Sequence, residues 1–557
     1  MKSISDYLRA LVRSKYALWG ILLLAAVVPY IGSIEGDFAF DDIPLLSEDP
    51  FYKTDNSLTD CWKRDYWMES LAQGLYRPLT IFSYWLNAKS FGLYSPAFRA
   101  VNLLLHIITV FVVFNLALRL RLGRHAAIFS GVIFAIHPLH TEAVIPAFGR
   151  GELLCGFFIF TGLLFHTYIR RNFLYSIGTA ICFILACWSK EHGVALIPLC
   201  LLYDFYSGRM KWDKKSSMPG LKPYFSYIIA MVLVVFARYE AMGTVMPAMT
   251  RFDPFLDNQL ALCSLPERLL SAINIQGFAL YLFIWPVTLS HDYSYAQMLP
   301  LKSFFDPTGI AVALIVFAIP FVLLGLFPKL KGKIAFLSLA YVVSILPAAN
   351  IITPTGTIFA ERLYYMPSAW LCFALAVILL RISRKIDLNL FAALLAVMVM
   401  AFASRTYARS FDWQDQRSIT LAGVRTCPKS AKTWNNLAVQ LVHDGKVKEA
   451  VEACDNAIQI YPRFKMAYLS RALYNIELRD FESAEKDLRR IIDIGTENPD
   501  IYNKFGAVLA NLGKSEEAVR IWNISLMMAP SQPMIKRALE DLQKEISSEK
   551  GKYDIKR

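Results

Sequence analysis

Long apolar runs, separated by short polar segments, fill residues 1–404 of the chain. A helix needs about 20 mostly apolar residues to cross a bilayer. The first run, 16–32, follows a series of basic residues and lacks a small-x-small cleavage site, which predicts a retained first membrane helix. Several later runs are shorter or contain proline, which predicts broken or interfacial helices. Together the runs predict about ten to twelve spans. After the first, they lie at 98–118, 126–138, 152–168, 173–188, 192–206, 222–241, 271–289, 308–327, 334–352, 363–380 and 388–404.

Clusters of lysine and arginine between the runs predict the orientation of the spans, because such clusters stay in the cytoplasm. The polar segments 41–42, 137–152, 190–191 and 361–362 then lie on the opposite face. A full crossing by the run 271–289 would put one cluster outside, so either that run is re-entrant or another run does not cross. The clusters are Arg119, Arg121 and Arg124; Arg170 and Arg171; Lys211, Lys214 and Lys215; Lys329, Lys331 and Lys333; and Arg381, Arg384 and Lys385.

From Thr433 onward the pattern changes to a period of 34 residues. Small residues recur where paired helices approach closely, and large residues fill the remaining gaps. The period predicts three tetratricopeptide repeats over 433–532, with a linker over 405–432 before them and a capping helix and tail over 533–557 after them. The predicted fold class is therefore all-α, a polytopic helical membrane domain followed by an α-solenoid. The period is carried by Trp434, Tyr468 and Tyr502; by Ala438, Ala472 and Gly506; and by Ala450, Ala484 and Ala518.

The amino-acid composition agrees with a chain whose first part lies in a membrane and whose C-terminal part lies in water. The chain is 55% apolar and 18% charged, with a mean hydropathy of +0.39, which excludes a purely soluble enzyme. Its net charge of +13 would suit nucleic acid, but the basic residues form short clusters between apolar runs, so we expect membrane lipid and no nucleic acid as a partner. The nine cysteines are scattered and form no CxxC pair, so neither a disulfide framework nor a zinc site is indicated.

Two adjacent carboxylates, Asp41 and Asp42, lie in the predicted first outer loop, about 35–97, among aromatic and aliphatic residues. Adjacent aspartates in a loop are commonly solvated or cap a helix. At a membrane face with apolar neighbours, however, a carboxylate can acquire a pKa suited to a general base. A divalent cation held by Asp41 and Asp42 stays open as an alternative but is not favoured, because the sequence identifies too few other oxygen ligands; we expect no cofactor.

Further polar residues lie beside or within the apolar runs, where they are costly unless they face partners or a cavity. The histidine spacing matches no zinc hydrolase. Cations outside the cytoplasm need anionic partners, which could be nearby glutamates or a ligand phosphate. Two interpretations therefore stay open, internal ion pairs or a basic pocket for a lipid phosphate. The residues are Arg77, Asn102, His106, His137, His140, Glu142, Arg150, Glu152, Lys190, Glu191, Glu361 and Arg362.

The order of these motifs resembles that of the transmembrane and tetratricopeptide-repeat O-mannosyltransferases, the TMTC proteins, and their bacterial relatives in the GT-C superfamily. The resemblance covers nearly the whole chain. Ile43 departs from it, because the family tends to have a basic residue there, and three repeats are fewer than animal members carry, which suggests a bacterial protein. The matching segments are Phe40-Asp41-Asp42, Tyr76-Arg77-Pro78-Leu79, Asn102 with His106, His137 to Glu152, Ser189-Lys190-Glu191 and Glu361 to Ser368.

The resemblance implies a GT-C membrane domain that transfers a sugar, mannose or another hexose, from a polyprenyl-phosphate donor to Ser or Thr of a protein acceptor, with inversion. It implies Asp41, with Asp42 second, as the base. Arg150, Lys190 and Arg362 would hold the donor phosphate, and the repeats could hold the acceptor. A bacterial member would lie in the inner membrane with its site and repeats facing the periplasm; a eukaryotic one would have a lumenal site in the endoplasmic reticulum.

Two other functions stay open at this point. An oligosaccharide ligase with a lipid pyrophosphate donor would use a similar membrane domain. A non-enzymatic membrane scaffold would use the repeats to bind a partner, but it leaves the cations outside the cytoplasm without a role. A transporter is less favoured, because the spans show no duplicated halves and the polar residues gather at one face.

Overall fold

The computed structural model describes residues 14–210, 222–246, 253–303 and 331–554. Within those ranges the regular elements are helices and no strand occurs. The chain divides into two compact units, the first formed by Met1–Tyr293 with Met298–Ala422 and the second by Ser294–Gln297 with Gly423–Arg557. The all-α prediction is therefore confirmed.

The first unit is built from apolar helices joined by short turns. Its main helices are α1 (Lys15–Val27), α2 (Pro78–Phe91), α3 (Ser95–Arg119), α4 (Arg124–Ile136), α5 (Arg150–Thr167), α6 (Leu174–Ser189), α7 (Leu196–Tyr206), α8 (Lys222–Met242), α9 (Leu265–Ile284), α10 (Lys331–Ile345), α11 (Ser368–Ile382) and α12 (Leu388–Asp412). Helix α13 (Gln416–Thr426) follows and begins in this unit. The end of α12 and all of α13 thus occupy the segment predicted as a linker, 405–432.

Five of the described helices are long and apolar enough to cross a membrane, and a bent pair over 124–144 would make a sixth. Three shorter apolar helices accompany them. Helices α8 and α12 expose rows of large apolar side chains that lipid would cover. The protein is a multi-pass membrane protein. The predicted run 308–327 and the lysines at 211–215 and 329 lie outside the described residues. The five helices are Tyr16–Ser33, Ser95–Arg119, Ala147–Thr167, Lys222–Met242 and Leu388–Asp412.

A break between α4 and α5 shapes the polar end of the first unit. His137 is extended because it precedes Pro138, and the helical axis bends by 52° there. A short helix, Thr141–Val144, and a 3-10 turn, Ala147–Gly149, then lead into α5. Such breaks leave backbone N–H groups outside regular helical bonding, where they can hold a side chain.

The second unit is a series of antiparallel helix pairs. The first helices of the pairs begin at 431, 465 and 499 and the second helices at 447, 481 and 515, so both sets repeat every 34 residues. Small residues such as Ala438 and Ala450 lie buried between paired helices. The predicted tetratricopeptide-repeat solenoid is confirmed. The helices are α14 (Ala431–His443), α15 (Val447–Ile460), α16 (Lys465–Glu477), α17 (Phe481–Ile494), α18 (Pro499–Asn511), α19 (Ser515–Met528) and the final α20 (Pro533–Asp554).

Candidate active site

Asp42 is a fully buried carboxylate whose oxygens are occupied by backbone. Its Oδ1 accepts the N–H of Phe148 at 2.7 Å, and its Oδ2 accepts the N–H of Ala147 at 3.1 Å. Burial raises the pKa of Asp42 to about 6, although the two amide bonds and the charge of Arg99 act in the opposite direction. Asp42 therefore fastens the loop after α1 to the turn before α5 and has no open face toward a substrate.

Asp41, its neighbour, has 26% of its side chain exposed and lies 3.6 Å from Nη2 of Arg362. The guanidinium of Arg362 also pairs with the buried carboxylate of Glu142 and lies over the ring of Phe148 at 4.9 Å. The backbone N–H of Arg362 donates to Glu142 as well, at 2.9 Å. Burial by itself lowers the pKa of Arg362, but the charges of Glu142 and then Asp41 outweigh burial, so the pKa is raised. Arg362 thus stays charged beside an accessible carboxylate.

Two more ion pairs lie near this group. Arg77 holds Glu191 with two nitrogens, Nε at 3.0 Å and Nη2 at 2.8 Å. Lys190 pairs with Glu152. The pKa of Lys190 is lowered, mainly by burial and further by the charges of Arg77 and Arg362. The charge of Glu152 opposes this shift. The structure therefore brings three cations together. We name the set of Asp41, Arg77, Glu142, Glu152, Lys190, Glu191 and Arg362 the ionic cluster.

The cations of the ionic cluster keep N–H groups that donate to nothing among the described residues. Arg77 donates hydrogen bonds from Nε and Nη2 but none from Nη1. The guanidinium of Arg362 donates a hydrogen bond from Nη1 but none from Nη2. Lys190 donates to one carboxylate oxygen only, from an ammonium with three hydrogens. These donors are open to an anion such as a phosphate.

Arg150, which the sequence grouped with those cations, has a different environment. It is fully buried, and all three of its nitrogens donate to neutral oxygens. Its partners in α2 and α3 tie the start of α5 to those helices, which is a packing role. The guanidinium therefore presents no open nitrogen to a ligand. The acceptors are Asn102 Oδ1 at 2.8 Å, Ser83 O at 3.2 Å, Asn87 Oδ1 at 3.1 Å and Phe98 O at 2.8 Å.

The remaining predicted site residues bond within the protein. Asn102 donates to the carbonyl of Pro146 at 2.7 Å. His106 bonds Tyr365 OH at 2.9 Å and His140 bonds Ser368 Oγ at 2.7 Å. His137 donates to the carbonyl of Phe283 at 2.9 Å. These side chains are buried and hold the broken helix against its neighbours; none joins the ionic cluster.

Glu361 lies beside the cluster but faces other partners. Its Oε1 accepts the N–H of Ser290 at 2.6 Å and the hydroxyl of Tyr293 at 2.7 Å. Burial raises the pKa of Glu361 to about 7, while the charge of Arg409 opposes that shift. Arg409 and Arg99 are not among the site residues predicted from the sequence. Both lie at the ends of apolar runs, on the face that the basic clusters predict to be outside the cytoplasm, which is the signal that identified Arg150.

The arrangement suits transfer to a hydroxyl group. An accessible carboxylate can accept a proton, while three cations within one charged group can stabilise a departing phosphate. The ionic cluster is supported by residues that do not face it. Asp42, Arg150 and the histidines bond within the protein and fix the backbone that carries the cluster.

No protein-family model matches the chain. Curated relatives do match most of it. Protein O-mannosyl-transferase F38B6.6 of Caenorhabditis elegans is 29% identical over 80% of this chain and 63% of the relative. Protein O-mannosyl-transferase TMTC3 of Mus musculus is 24% identical over 92% and 60%, and TMTC4 of Homo sapiens is 27% identical over 78% and 65%. The chain thus spans about three fifths of the length of these relatives.

Solved structures overlap with it more weakly. The first TPR domain of human RPAP3 is 21% identical, covers 22% of this chain and 98% of that structure, and gives a TM-score of 0.21. The oligosaccharyltransferase of Archaeoglobus fulgidus, tethered to an acceptor peptide, is 12% identical over 82% and 59%, with a TM-score of 0.39. Overlaps at these TM-scores carry no argument about function.

Proposed function

Because this chain is a homologue of the TMTC-named protein O-mannosyl-transferases over most of its length, we propose that it is a glycosyltransferase acting on proteins. It moves a sugar, mannose or another hexose, from a polyprenyl-phosphate donor to a Ser or Thr hydroxyl on the non-cytoplasmic face. The observation that carries this proposal is the accessible carboxylate of Asp41 beside Arg362, within the ionic cluster.

The reaction is a direct displacement. The acceptor oxygen forms a bond to the anomeric carbon as the bond from that carbon to the phosphate oxygen breaks. The hydroxyl proton passes to the carboxylate of Asp41, and the bonding electron pair leaves with the polyprenyl phosphate. Attack opposite the leaving group inverts the anomeric carbon. A phosphate monoester leaves without protonation, so the reaction calls for cations and a base and no cofactor.

The donor phosphate is held by Arg362, Lys190 and Arg77. This assignment replaces Arg150 by Arg77, because Arg77 keeps an uncommitted nitrogen and all nitrogens of Arg150 are bonded. Asp41 is the base, and Asp42 positions it. Inside a partly dehydrated site, fixed cations stabilise developing phosphate charge more strongly than water does.

The test is reconstitution of the purified protein with labelled polyprenyl-phosphate mannose and a Ser/Thr-rich acceptor. We expect Asp41→Asn to lower the transfer rate at least about 100-fold, the usual contribution of a general base, with donor affinity unchanged. Asp55→Asn is the matched control, because Asp55 is a fully exposed carboxylate of the same loop. Undiminished transfer by Asp41→Asn would overturn the assignment of the base.

The phosphate role is tested by donor binding. Arg362→Lys keeps the charge that buried Glu142 needs and removes the guanidinium geometry, so we expect weaker donor binding in a folded protein. Unchanged affinity for the lipid donor would contradict the role of Arg362. The mass of the modified acceptor then reports the donor type: one added hexose supports a monosaccharide phosphate donor, and a block of sugars would replace it with a pyrophosphate-linked oligosaccharide.

The acceptor protein is held by the repeats. Tetratricopeptide-repeat solenoids present extended concave surfaces suited to polypeptide segments, and the second unit has that architecture. We place the protein in a bacterial inner membrane, with the ionic cluster and the repeats in the periplasm. The distribution of basic clusters along the sequence supports the orientation in this proposal.

A further inference from the structure

We propose that Gln416 is a positioning residue for the base, acting through one hydrogen bond to the loop that carries Asp41. This inference rests on the proposed function. Gln416 is the first residue of α13, some 375 positions from Asp41 in the chain, and its Oε1 accepts the backbone N–H of Phe40 at 2.7 Å. None of the described hydrogen bonds of Gln416 joins it to a residue of the ionic cluster.

The bond falls where the loop backbone is least favourable. Phe40 has a φ of 54°, in the left-handed region, which a bulky side chain adopts only when its surroundings hold it there. The next residue is Asp41, and the one after it, Asp42, is fastened to the amides of Ala147 and Phe148. Asp41 is therefore carried between two anchors, one on each side, and Gln416 supplies the first.

A second set of contacts fixes the start of the same loop. Arg99, 3% exposed, donates to the carbonyls of Ser33 at 2.7 Å and Trp413 at 2.8 Å, and also to the carbonyl of Asp37. The N–H of Asp37 donates to the carbonyl of Gln414 at 2.8 Å. The turn between α12 and α13 thus meets the loop along its length.

This close approach requires a glycine. A Cβ at Gly36 would lie 2.6 Å from the carbonyl oxygen of Gln414 and against the guanidinium of Arg99. The fit leaves little freedom for the loop to shift while Gln416 holds Phe40. Losing that bond frees the left-handed residue to relax, which displaces the carboxylate of Asp41. A displacement of about 1 Å at a reacting group can cost about 100-fold in rate.

The experiment compares Gln416→Met, which has similar length but no acceptor oxygen, with Gln416→Glu, which keeps one. Transfer is measured in the reconstituted full chain and normalised to the number of sites that bind labelled polyprenyl-phosphate mannose. We expect Gln416→Met to lower kcat by about 10- to 100-fold, with donor affinity within about twofold, and Gln416→Glu to recover most of the rate. Amide hydrogen exchange of residues 37–42 should be faster in Gln416→Met only.

A wild-type kcat for Gln416→Met, or equal losses in both variants, would overturn the proposal. If Gln416→Met does not fold, Gln416→Asn takes its place, since its amide is one methylene too short to reach Phe40, and the same outcomes apply. The exchange measurement does not depend on sugar transfer. Slow exchange at 37–42 in the variant therefore refutes the positioning bond, whereas an inactive wild type with the expected exchange difference refutes the proposed function instead.

Discussion

Asp41 and Asp42 are chemically identical neighbours in opposite surroundings. The carboxylate of Asp42 accepts two backbone N–H groups and is sealed from solvent, whereas that of Asp41 is accessible beside a cation. The sequence predicts that a carboxylate of this pair meets cations from distant helices. It cannot tell which one, because the answer depends on where the N–H groups of Ala147 and Phe148 point, and these are set by a turn more than 100 residues away.

The raised pKa of Asp42 predicts a pH dependence of stability. An unfolded aspartate has a pKa near 3.8 and the folded one about 6, so the stabilisation from the neutral form is complete below about 3.8 and is lost as the pH rises through about 6. The loss is on the order of 2–3 kcal/mol. We expect the Tm of the wild type, relative to that of Asp42→Asn, to fall between pH 4.5 and 7.5. A constant difference would contradict the prediction.

Arg150 shows where prediction from sequence stops at this scale. A buried cation needs oxygen partners, and the sequence offers both carboxylates and a ligand phosphate. The structure supplies amide and carbonyl oxygens instead, from Ser83, Asn87, Phe98 and Asn102. Neutral acceptors carry no pattern in a sequence, because every residue has a carbonyl group.

At the scale of elements, the repeat helices were predictable and the broken helix was predictable only in part. A period of 34 residues fixes which helices pair, since small residues must face each other wherever axes approach. Proline marks the break between α4 and α5 equally well. The direction of the bend, and hence the two amides offered to Asp42, follows from packing against several other helices and has no local signal.

The third repeat predicts a coupled pair of positions. A Cβ at Gly506 would lie 2.8 Å from Cε2 of Trp522, whose indole donates to the carbonyl of Asn503 at 3.1 Å. The equivalent positions of the first repeat are Ala438 and Cys454. A large residue at one position thus requires the smallest at the other.

Gly506→Ala should therefore destabilise the wild type by about 1–2 kcal/mol, because overpacking outweighs the better helix propensity of alanine. In the Trp522→Cys background the same change should stabilise by about 0.5–1 kcal/mol, because the clash is gone and the propensity gain remains. Denaturant unfolding of the detergent-solubilised chain measures both. The same sign in the two backgrounds would show that the positions are not coupled.

On the scale of the whole molecule, the ionic cluster collects residues from distant parts of the first unit. Four distant segments contribute to the ionic cluster, around residues 41, 77, 142–152 and 190, and a fifth around 362 completes it. Basic clusters in the sequence anticipate that gathering, because they assign all five segments to the same face of the membrane. The sequence does not reveal which cation meets which acid.

The same rule predicts the side on which the repeats lie. Helix α12 follows the basic residues at 381–385, so the rule predicts that α12 leaves the cytoplasm and that the C-terminal part of the chain lies outside. Alkaline phosphatase, which is active only outside the cytoplasm, should be active when fused after Arg557. The matched fusion after Lys385 should be inactive. The reverse result would place the repeats in the cytoplasm and remove them as holders of a periplasmic acceptor.

The pairing of Arg362 with Glu142 also constrains how the protein is made. Every hydrogen-bond acceptor of Arg150 precedes it in the chain. These acceptors have therefore already been synthesised when Arg150 leaves the ribosome. The carboxylate of Glu142 instead pairs with a guanidinium that lies 220 residues later in the chain. A half-finished chain must shelter this acid, either protonated or within the aqueous insertion channel, because a lone charge in lipid costs about 3 kcal/mol. The charge of Glu142 is therefore balanced only once the segment around Arg362 has been made.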